Sequence, residues 1–321
     1  MYWPPTDNDA RQDGQDWQDR LLHLAKTQTY ACDWGFVDCG AKDDATSHNG
    51  GAGNGKGALK IRVQQRFSPP VLSWCIDLNV TYTFYASGAI SIRTIGIPQG
   101  ENLPRTLPRV GFTMELPSSW ASTTTTSPNR TPGSTKSIAV DVGGDIDAAL
   151  TWYGRGHGES YNDKKLSQRV GTYAVQFISE LWTEYEKAQE GSNRTDTRWL
   201  KLTNHDSRRA GQRQTLTVQF VGDEEGEEAP ADRDVDLEGS KNLAPSSERK
   251  RSLFDFMASH YRAENIASPR HPHEVRSKRT DNVVLRLDAA HHELGSGACG
   301  PKTRDEYALV TKPFYFELLL G

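Results

Sequence analysis

Two pairs of histidines are the residues whose types and spacing most directly suggest chemistry. His271 and His273 are one residue apart, and His291 and His292 are adjacent. Imidazole is the commonest metal-binding side chain, but neighbouring residues of a strand point to opposite faces, so His291 and His292 cannot both bind one ion from a strand. Pro272 separates the other pair, whose spacing would otherwise suit a strand. The sequence therefore predicts no metal site in this chain.

Two pairs of carboxylates have the types needed for general acid–base work. They are Asp145 with Asp147, and Glu159 with Asp163. Short acidic side chains at such spacings more often cap turns and accept structural hydrogen bonds. We therefore predict structural roles for both pairs.

The elements that position these residues are predicted to be strands. Residues 76–84 alternate apolar and polar side chains, turn at Ser87 and Gly88, and continue with the same period over residues 89–95. This pattern predicts an antiparallel hairpin with one buried face. The same alternation recurs at residues 110–116, 216–220, 283–287 and 314–320. Many short strands separated by Gly, Pro and Asn predict an all-β fold, a large antiparallel β-sandwich.

One short helix is predicted near the N-terminus. Near-helical spacing is shared by five apolar residues, Trp17, Leu21, Leu22, Leu24 and Ala25. A polar loop over residues 10–16 precedes them.

Three segments are too polar or too Gly-rich to bury much apolar surface. They are the Gly-rich residues 48–57, the Ser/Thr/Pro-rich residues 118–136, and residues 223–251, which begin acidic and end basic. Such compositions cannot offset the entropy lost on ordering. We expect them to be flexible insertions within a single domain that spans residues 1–321.

Composition and charge exclude several classes of function. The 321 residues carry a formal net charge of -4, which gives no basic surface for nucleic acid or anionic lipid. No stretch approaches the roughly 20 apolar residues that cross a bilayer, and residues 1–9 contain no apolar signal segment. The four cysteines form no C-x-x-C pair. Reduced thiols and a cytoplasmic location are the expectation.

Six separated motifs follow one another along the chain. The first three are YWPPTDND at residues 2–9, LPRVG at 107–111 and WYGRGHGESYND at 152–163, which leads into GTY at 171–173. The fourth comprises QE, NRTD and RWL within residues 189–200, and the fifth SHY and HPHE within 259–274. The sixth comprises LDAAHHELG, ACGP and EY within residues 287–307.

In this order the motifs resemble the C-terminal small-chain (domain 5) region of family 2 glycoside hydrolase β-galactosidases. The resemblance implies a supersandwich like that of galactose mutarotase, with one or two short helices. This chain departs from the family pattern where His157 replaces a usual proline, Lys164 a usual arginine, and Glu184 the proline of a Pro-Tyr pair. The family's small-chain region usually begins earlier, so we expect an N-terminally truncated domain.

The resemblance also implies where the chemistry lies. The family hydrolyses terminal β-D-galactosides with retention, which needs two carboxylates roughly 5–5.5 Å apart. In the family both lie on a (β/α)8 barrel that also binds magnesium and sodium. A barrel needs roughly 250 residues of alternating strands and helices, a pattern this sequence lacks. We therefore expect no catalytic residue and no cofactor in this chain, and a partner in the barrel region of the same enzyme or of a large subunit. The complete enzyme is expected to be oligomeric.

The resemblance assigns one substrate-binding residue to this chain. In similar enzymes a residue near the C-terminus packs beside the galactose and its aglycone, and it is often tryptophan or cysteine. Alignment on the Gly-Pro and Glu-Tyr pairs that follow places Cys299 at that position. A thiol is a smaller, softer apolar contact than an indole, so weaker stacking on the aglycone is expected. An ordinary buried thiol is the alternative.

The loop after Asp9 is the second candidate. In the family this loop borders the active site, and here it contains Arg11, Gln12, Asp13 and Gly14. A glycine there offers a hinge for closure over substrate. A plain connector to the predicted helix is the alternative.

Two other functions remain open. One is a stand-alone carbohydrate-binding or aldose-epimerase-like sandwich, because aldose epimerases share this broad type of sandwich and use histidine and glutamate as acid and base. His291 or His292 with Glu293 would serve only if they converge in a concave site. The other is a purely structural module, which would place Cys299 and the loop after Asp9 at opposite ends of the sandwich.

Overall fold

The computed structural model describes residues 1–10, 12–38, 57–121, 149–204, 214–221 and 251–321. Within these ranges the strands are β1 (Lys26–Asp38), β2 (Gly57–Ser68), β3 (Cys75–Tyr85), β4 (Ile90–Gln99), β5 (Arg109–Leu116), β6 (Leu150–Gly156), β7 (Arg169–Val175), β8 (Arg194–Thr197), β9 (Trp199–Asn204), β10 (Gln214–Val221), β11 (Arg251–Ser252), β12 (Phe254–Ser259), β13 (Val283–His291) and β14 (Phe314–Leu320). The α-helices are α1 (Asp13–Asp19), α2 (Ala263–Ala267) and α3 (Pro272–Ser277), and 3₁₀ turns lie at Leu22–Leu24, Ser118–Trp120, Ile178–Leu181 and Asp305–Tyr307. The predicted all-β class is confirmed.

The strands predicted from alternation are all present, as β3, β4, β5, β10, β13 and β14. The turn between β3 and β4 closes through two hydrogen bonds of 2.9 Å, from Tyr85 N to the Ala89 carbonyl and from Gly88 N to the Tyr85 carbonyl. Gly88 has a φ of 87°, a left-handed conformation that favours glycine.

The predicted N-terminal loop and the predicted insertions have different boundaries in the structure. The helix α1 begins at Asp13, so the polar loop predicted over residues 10–16 is too long. Residues 48–56, 122–136 and 223–250 of the three predicted insertions lie outside the described residues. The described ends of those segments belong to regular elements, because Gly57 begins β2, Trp120 packs against the core, and Arg251 pairs with Val221.

No described helix is long and apolar enough to cross a membrane. Cys32, Cys75 and Cys299 are free thiols, and Cys39 lies outside the described residues.

Two antiparallel sheets form the sandwich. Along the larger sheet the described strands follow the order β1-β2-β3-β4-β14-β10-β9-β6-β7, and β11 pairs with β10. The smaller sheet has the order β5-β13-β12-β8. Aromatic side chains join the sheets: Phe254 of β12 stacks on Phe220 of β10 with ring centroids 4.8 Å apart, and Phe256 of β12 meets Trp152 of β6 edge-on at 5.6 Å.

Strand β13 lies inside the smaller sheet and is buried on both faces. Val283, Leu285 and Leu287 point into the apolar core between the sheets and are fully buried. Because side chains alternate along a strand, Arg286 and Asp288 lie on the opposite face, where each is 2 % exposed. A strand that buries charge on one face requires partners for that charge.

Four charged side chains form a buried ionic cluster on that face: Arg109, Glu190, Arg286 and Asp288. Arg286 Nη1 donates to the two Glu190 carboxylate oxygens at 3.0 and 2.8 Å. Arg109 Nε donates to Asp288 Oδ1 at 3.1 Å, and Arg109 Nη1 lies 3.8 Å from Glu190 Oε1. Burial lowers the pKa of Arg109, but the carboxylates of Asp288 and Glu190 outweigh burial, so the pKa lies above its ordinary value. The Arg109 guanidinium therefore remains charged inside the protein.

We predict that Glu190→Gln destabilises the chain by about 3–5 kcal/mol, because it leaves Arg286 as a buried charge without its carboxylate. Glu184→Gln is the matched control, since Glu184 pairs with Arg276 at 2.7 Å on the exposed surface and should cost less than about 1 kcal/mol. Urea unfolding of both variants measures the difference. Equal losses would contradict the role assigned to the cluster.

Asp255 of β12 is a further buried carboxyl on this side of the smaller sheet. Burial and the nearby negative charge of Asp288 raise its pKa to about 8, against a weaker hydrogen bond from Asn193. The folded chain therefore holds a proton on Asp255 that the unfolded chain releases near pH 4. The stability that this proton contributes is complete below pH 4 and is lost as the pH rises through about 8.

We predict that Asp255→Asn, which mimics the neutral acid, gains stability relative to the original chain as the pH rises from 5 to 8. The expected gain is about 1.4 kcal/mol per pH unit for one linked proton. Denaturant unfolding at several pH values checks it, and the difference between the two chains cancels all other titrating groups. A difference that does not vary with pH would refute the assignment.

Candidate functional site

The N-terminal turn (residues 6–10) is closed by its own carboxylate. Asp9 Oδ2 accepts hydrogen bonds from Thr6 N at 2.7 Å and from Thr6 Oγ1 at 2.8 Å. The Thr6 carbonyl accepts from the backbone N–H groups of Asp9 and Ala10, both at 3.1 Å. Burial raises the pKa of Asp9 to about 6, and the hydrogen bonds from Thr6 oppose that rise. The turn thus keeps its shape through contacts within the motif itself.

Asp13 fixes the start of α1 against the rest of the fold. Its Oδ1 accepts from Arg105 Nη2 at 2.9 Å and from Thr106 Oγ1 at 3.1 Å, and its Oδ2 lies 3.6 Å from His292 Nε2. Since His292 Nδ1 accepts the Leu309 N–H at 3.1 Å, the imidazole proton is on Nε2 and faces Asp13. His292 and Arg105 hold the pKa of Asp13 well below its usual range.

Gly14 is the point where α1 touches the N-terminal turn. Its N–H donates to the Asp9 carbonyl at 2.9 Å. A β-carbon at position 14 would lie 2.8 Å from that carbonyl oxygen, so the close approach requires glycine. One turn of helix later, the buried Trp17 donates from Nε1 to the Thr106 carbonyl at 2.9 Å.

The cysteine turn (residues 295–300) follows β13. The Ser296 carbonyl accepts from Gly300 N at 2.7 Å and from Cys299 N at 3.2 Å. Gly295 has a φ of 61°, in the left-handed region that favours glycine. The Cys299 side chain is exposed, so the alternative of an ordinary buried thiol does not hold for the described chain.

Asn8 joins the two turns. Its Nδ2 donates to the Gly295 carbonyl at 3.1 Å, and its Oδ1 accepts the Ala298 N–H at 3.1 Å. The backbones are so close that a β-carbon on Gly297 would lie 2.4 Å from the Asn8 carbonyl oxygen and 3.3 Å from Gln12 Nε2. The N-terminal turn, Gln12 and the cysteine turn therefore form one continuous surface, which we call the rim surface.

Two hydrogen bonds through Asp163 connect the start of the cysteine turn to Glu293. Asp163 Oδ2 accepts the Gly295 N–H at 2.7 Å, and the Asp163 N–H donates to Glu293 Oε2 at 3.1 Å. Glu159 accepts the Ser192 N–H at 2.7 Å. Asp163 and Glu159 thus make the structural hydrogen bonds predicted from sequence, whereas Asp145 and Asp147 lie outside the described residues.

The described residues of the predicted active-site loop fall into two groups, one at the surface and one buried. Gln12 belongs to the rim surface, where its side-chain amide lies close to Gly297, and Arg11 lies outside the described residues. Asp13 and Gly14 are buried in the first turn of α1, where they support the rim surface from within. Their contact with substrate, like that of Cys299, stays a prediction.

Sequence reasoning gave Asn8 no role, although it makes the contact that unites the rim surface. Its only signal was a place between two aspartates in the first motif. Its partners lie 287 and 290 residues further along the chain, a separation that local patterns cannot bridge.

The histidines occupy different settings. His291 packs between Trp3 and Tyr161, with ring centroids 4.4 and 5.4 Å away. His271 and His273 stack on each other at the start of α3. Among the described residues no group of three His, Cys, Asp or Glu side chains is arranged to hold a metal ion.

Comparison with known proteins gives a consistent result. The β-galactosidase of Kluyveromyces lactis is 29 % identical over 100 % of this chain and 23 % of its own length. That of Actinobacillus pleuropneumoniae is 22 % identical over 98 % of this chain and 22 % of its own length. That of Arthrobacter sp. is 29 % identical over 54 % of this chain and 14 % of its own length. This chain therefore spans less than a quarter of the length of these relatives.

The sequence profile of one family, described as beta galactosidase small chain, matches residues 1–124 and 138–320. That match covers the N-terminal turn, α1 and the cysteine turn. The six motifs that suggested the resemblance also lie within it. The chain belongs to the β-galactosidase small-chain family.

Proposed function

We propose that this chain is the small-chain sandwich of a family 2 β-galactosidase and that its rim surface completes an active site on a separate catalytic region. The single observation that carries the proposal is the pair of hydrogen bonds between Asn8 and the cysteine turn. These bonds join the turn that carries Cys299 to the N-terminal turn that precedes the loop after Asp9. A purely structural module would have no need to bring together the two segments that the family resemblance associates with substrate.

The catalytic partner is the part of the enzyme that this chain does not contain. The relatives are named β-galactosidases, and more than three quarters of their length lies outside the match. In the proposed enzyme that part is a (β/α)8 barrel that supplies both reactive carboxylates and binds magnesium and sodium. Hydrolysis of terminal β-D-galactosides such as lactose, an oligomeric assembly and a cytoplasmic location complete the proposal.

Cys299 gives the proposed rim a defined chemistry. An exposed thiol on a hydrogen-bonded turn offers a compact apolar contact to the substrate. It lacks the wide ring with which an indole stacks on an aromatic or sugar aglycone. The proposed enzyme therefore binds the galactose ring more selectively than the group attached to it.

A chimera tests the proposed function. We predict that Kluyveromyces lactis β-galactosidase hydrolyses o-nitrophenyl β-D-galactoside after its matching region is replaced by this chain, whereas the same enzyme with that region deleted does not. Residues 1–321 alone should show no turnover. Turnover by the isolated chain comparable to that of the whole enzyme, or a folded chimera without activity, would overturn the proposal.

In the same chimera we predict that Cys299→Trp lowers the KM for the nitrophenyl galactoside by about 2- to 10-fold, because aromatic stacking contributes about 0.5–1.5 kcal/mol. Cys32→Trp is the matched control, since Cys32 is also exposed but lies on β1. Steady-state kinetics of the two variants provide the measurement. An equal shift in both, or none in Cys299→Trp, would remove Cys299 from the proposed substrate contact.

A further inference from the structure

The outermost strand of the larger sheet, β1, has one edge that pairs with no strand in the described part of the chain. It stands first in the strand order and pairs only with β2. The register between these two strands shifts between Thr29 and Ala31 and is regular from Ala31 onwards. Residues 31–37, which we call the β1 edge, therefore present a regular row of backbone N–H and C=O groups on their outer side.

Two large aromatic side chains stand on the β1 edge. Trp34 is 69 % exposed and Phe36 is 79 % exposed, and their rings meet edge-on with centroids 6.2 Å apart. Soluble proteins protect a free strand edge with charged side chains, with proline or by keeping the strand short. The β1 edge contains no proline, its only charged residue is Asp33, and the whole strand has 13 residues. It therefore lacks most of the features that prevent pairing with another strand.

The aromatic side chains belong to a wider apolar surface. Two rows of apolar residues cross β1, β2 and β3 in register, namely Trp34, Ile61 and Tyr82 in one row and Phe36, Leu59 and Phe84 in the next. Tyr82 packs against the hydrophobic core, so both rows lie on the core-facing side of the larger sheet. The exposed parts of Trp34, Phe36 and Phe84 amount to roughly 400 Å². An exposed apolar patch of this size is typical of an interaction site.

The β1 edge is complementary to itself. When two copies pair antiparallel about a two-fold axis through Trp34, that residue lies opposite its own copy. The other opposed pairs each match a smaller residue with a larger one: Cys32 with Phe36, Ala31 with Val37, and Gly35 with Asp33. No like charges lie directly opposite each other, and Asp33 already has a partner in its own copy, since it lies 3.6 Å from Arg62. A second copy of this chain therefore fits the edge in both size and charge.

We propose that the β1 edge is a homodimer interface, in which residues 31–37 of two copies pair antiparallel and join their larger sheets into one. The exposed rings supply about half of the roughly 800 Å² that each partner buries in a standard interface, and the paired strands add their backbone and remaining side chains. The inference rests on the contacts of β1 alone. It involves neither the rim surface nor a catalytic region, so it stands or fails separately from the proposed function.

Sedimentation velocity of the 321-residue chain between about 1 and 100 µM tests the interface, because interfaces of standard size have affinities that begin in the micromolar range. We expect an equilibrium between monomer and dimer in this range. Trp34→Lys should raise the Kd of the dimer about thirtyfold or more, because it removes the central aromatic pair and places two positive charges opposite each other.

Leu166→Lys is the matched control. Leu166 is 88 % exposed and lies between β6 and β7, at the opposite end of the strand order of the larger sheet. This variant should leave the Kd of the dimer unchanged. Both substitutions replace exposed side chains, so thermal unfolding should show that both variants keep the fold.

Hydrogen–deuterium exchange locates the contact. The outward-facing amides of residues 31–37 should gain protection as the concentration rises through the Kd, and Trp34→Lys should lose that gain. A chain that stays monomeric at about 100 µM, a dimer that Trp34→Lys leaves intact, or a dimer without this protection would overturn the proposal. So would two other results, because they assign a different occupant: full protection in the dilute monomer would indicate another segment of the chain, and protection only in the Kluyveromyces lactis chimera would indicate the catalytic region.

Discussion

The four charges buried beneath the smaller sheet are the constraint on which the rest of the architecture depends. Removing charge from water costs several kcal/mol per ion, and only close, well-oriented partners offset that cost. Arg109, Glu190, Arg286 and Asp288 meet this condition together, with none more than 4 % exposed. Each arrives from a different stretch of chain except the last two, which share β13. The cluster therefore holds three distant segments in one place.

The cluster also helps to position the two segments that form the rim surface. The backbone N–H of Glu190 donates to the Pro4 carbonyl at 3.0 Å, which anchors the chain just before the N-terminal turn. Beyond Asp288, β13 runs on through His291 towards the cysteine turn. The same ion pairs thus orient both segments that Asn8 later joins. The turn that carries the exposed Cys299 is thus connected through β13 to the buried ionic cluster.

Much of the fold was accessible from the sequence because it depends on local patterns. The period of two in β3, β4 and β14 follows from one buried face, and the motifs identified the family. The ion pairs were not accessible, since Arg109 and Asp288 are 179 residues apart and no local signal links them. The start of α1 was also missed. It depends on the close approach of Gly14 to the Asp9 carbonyl, which no periodic sequence pattern indicates although the two residues are near in sequence. Only the resemblance suggested Cys299 and Gln12, whose contact with substrate stays a prediction, whereas the contacts of Asn8 with the cysteine turn are visible only in three dimensions.

Because both faces of β13 are buried, the strand tolerates insertions and deletions differently from substitutions. On this strand Leu285 and Leu287 face hydrocarbon while Arg286 and Asp288 face opposite charges. Inserting or deleting a single residue before Leu285 would exchange the two faces for every later position. Guanidinium and carboxylate groups would then enter the aromatic layer, and leucines would enter the ionic one. This strand can therefore accept some substitutions, but it cannot accept a change in its number of residues.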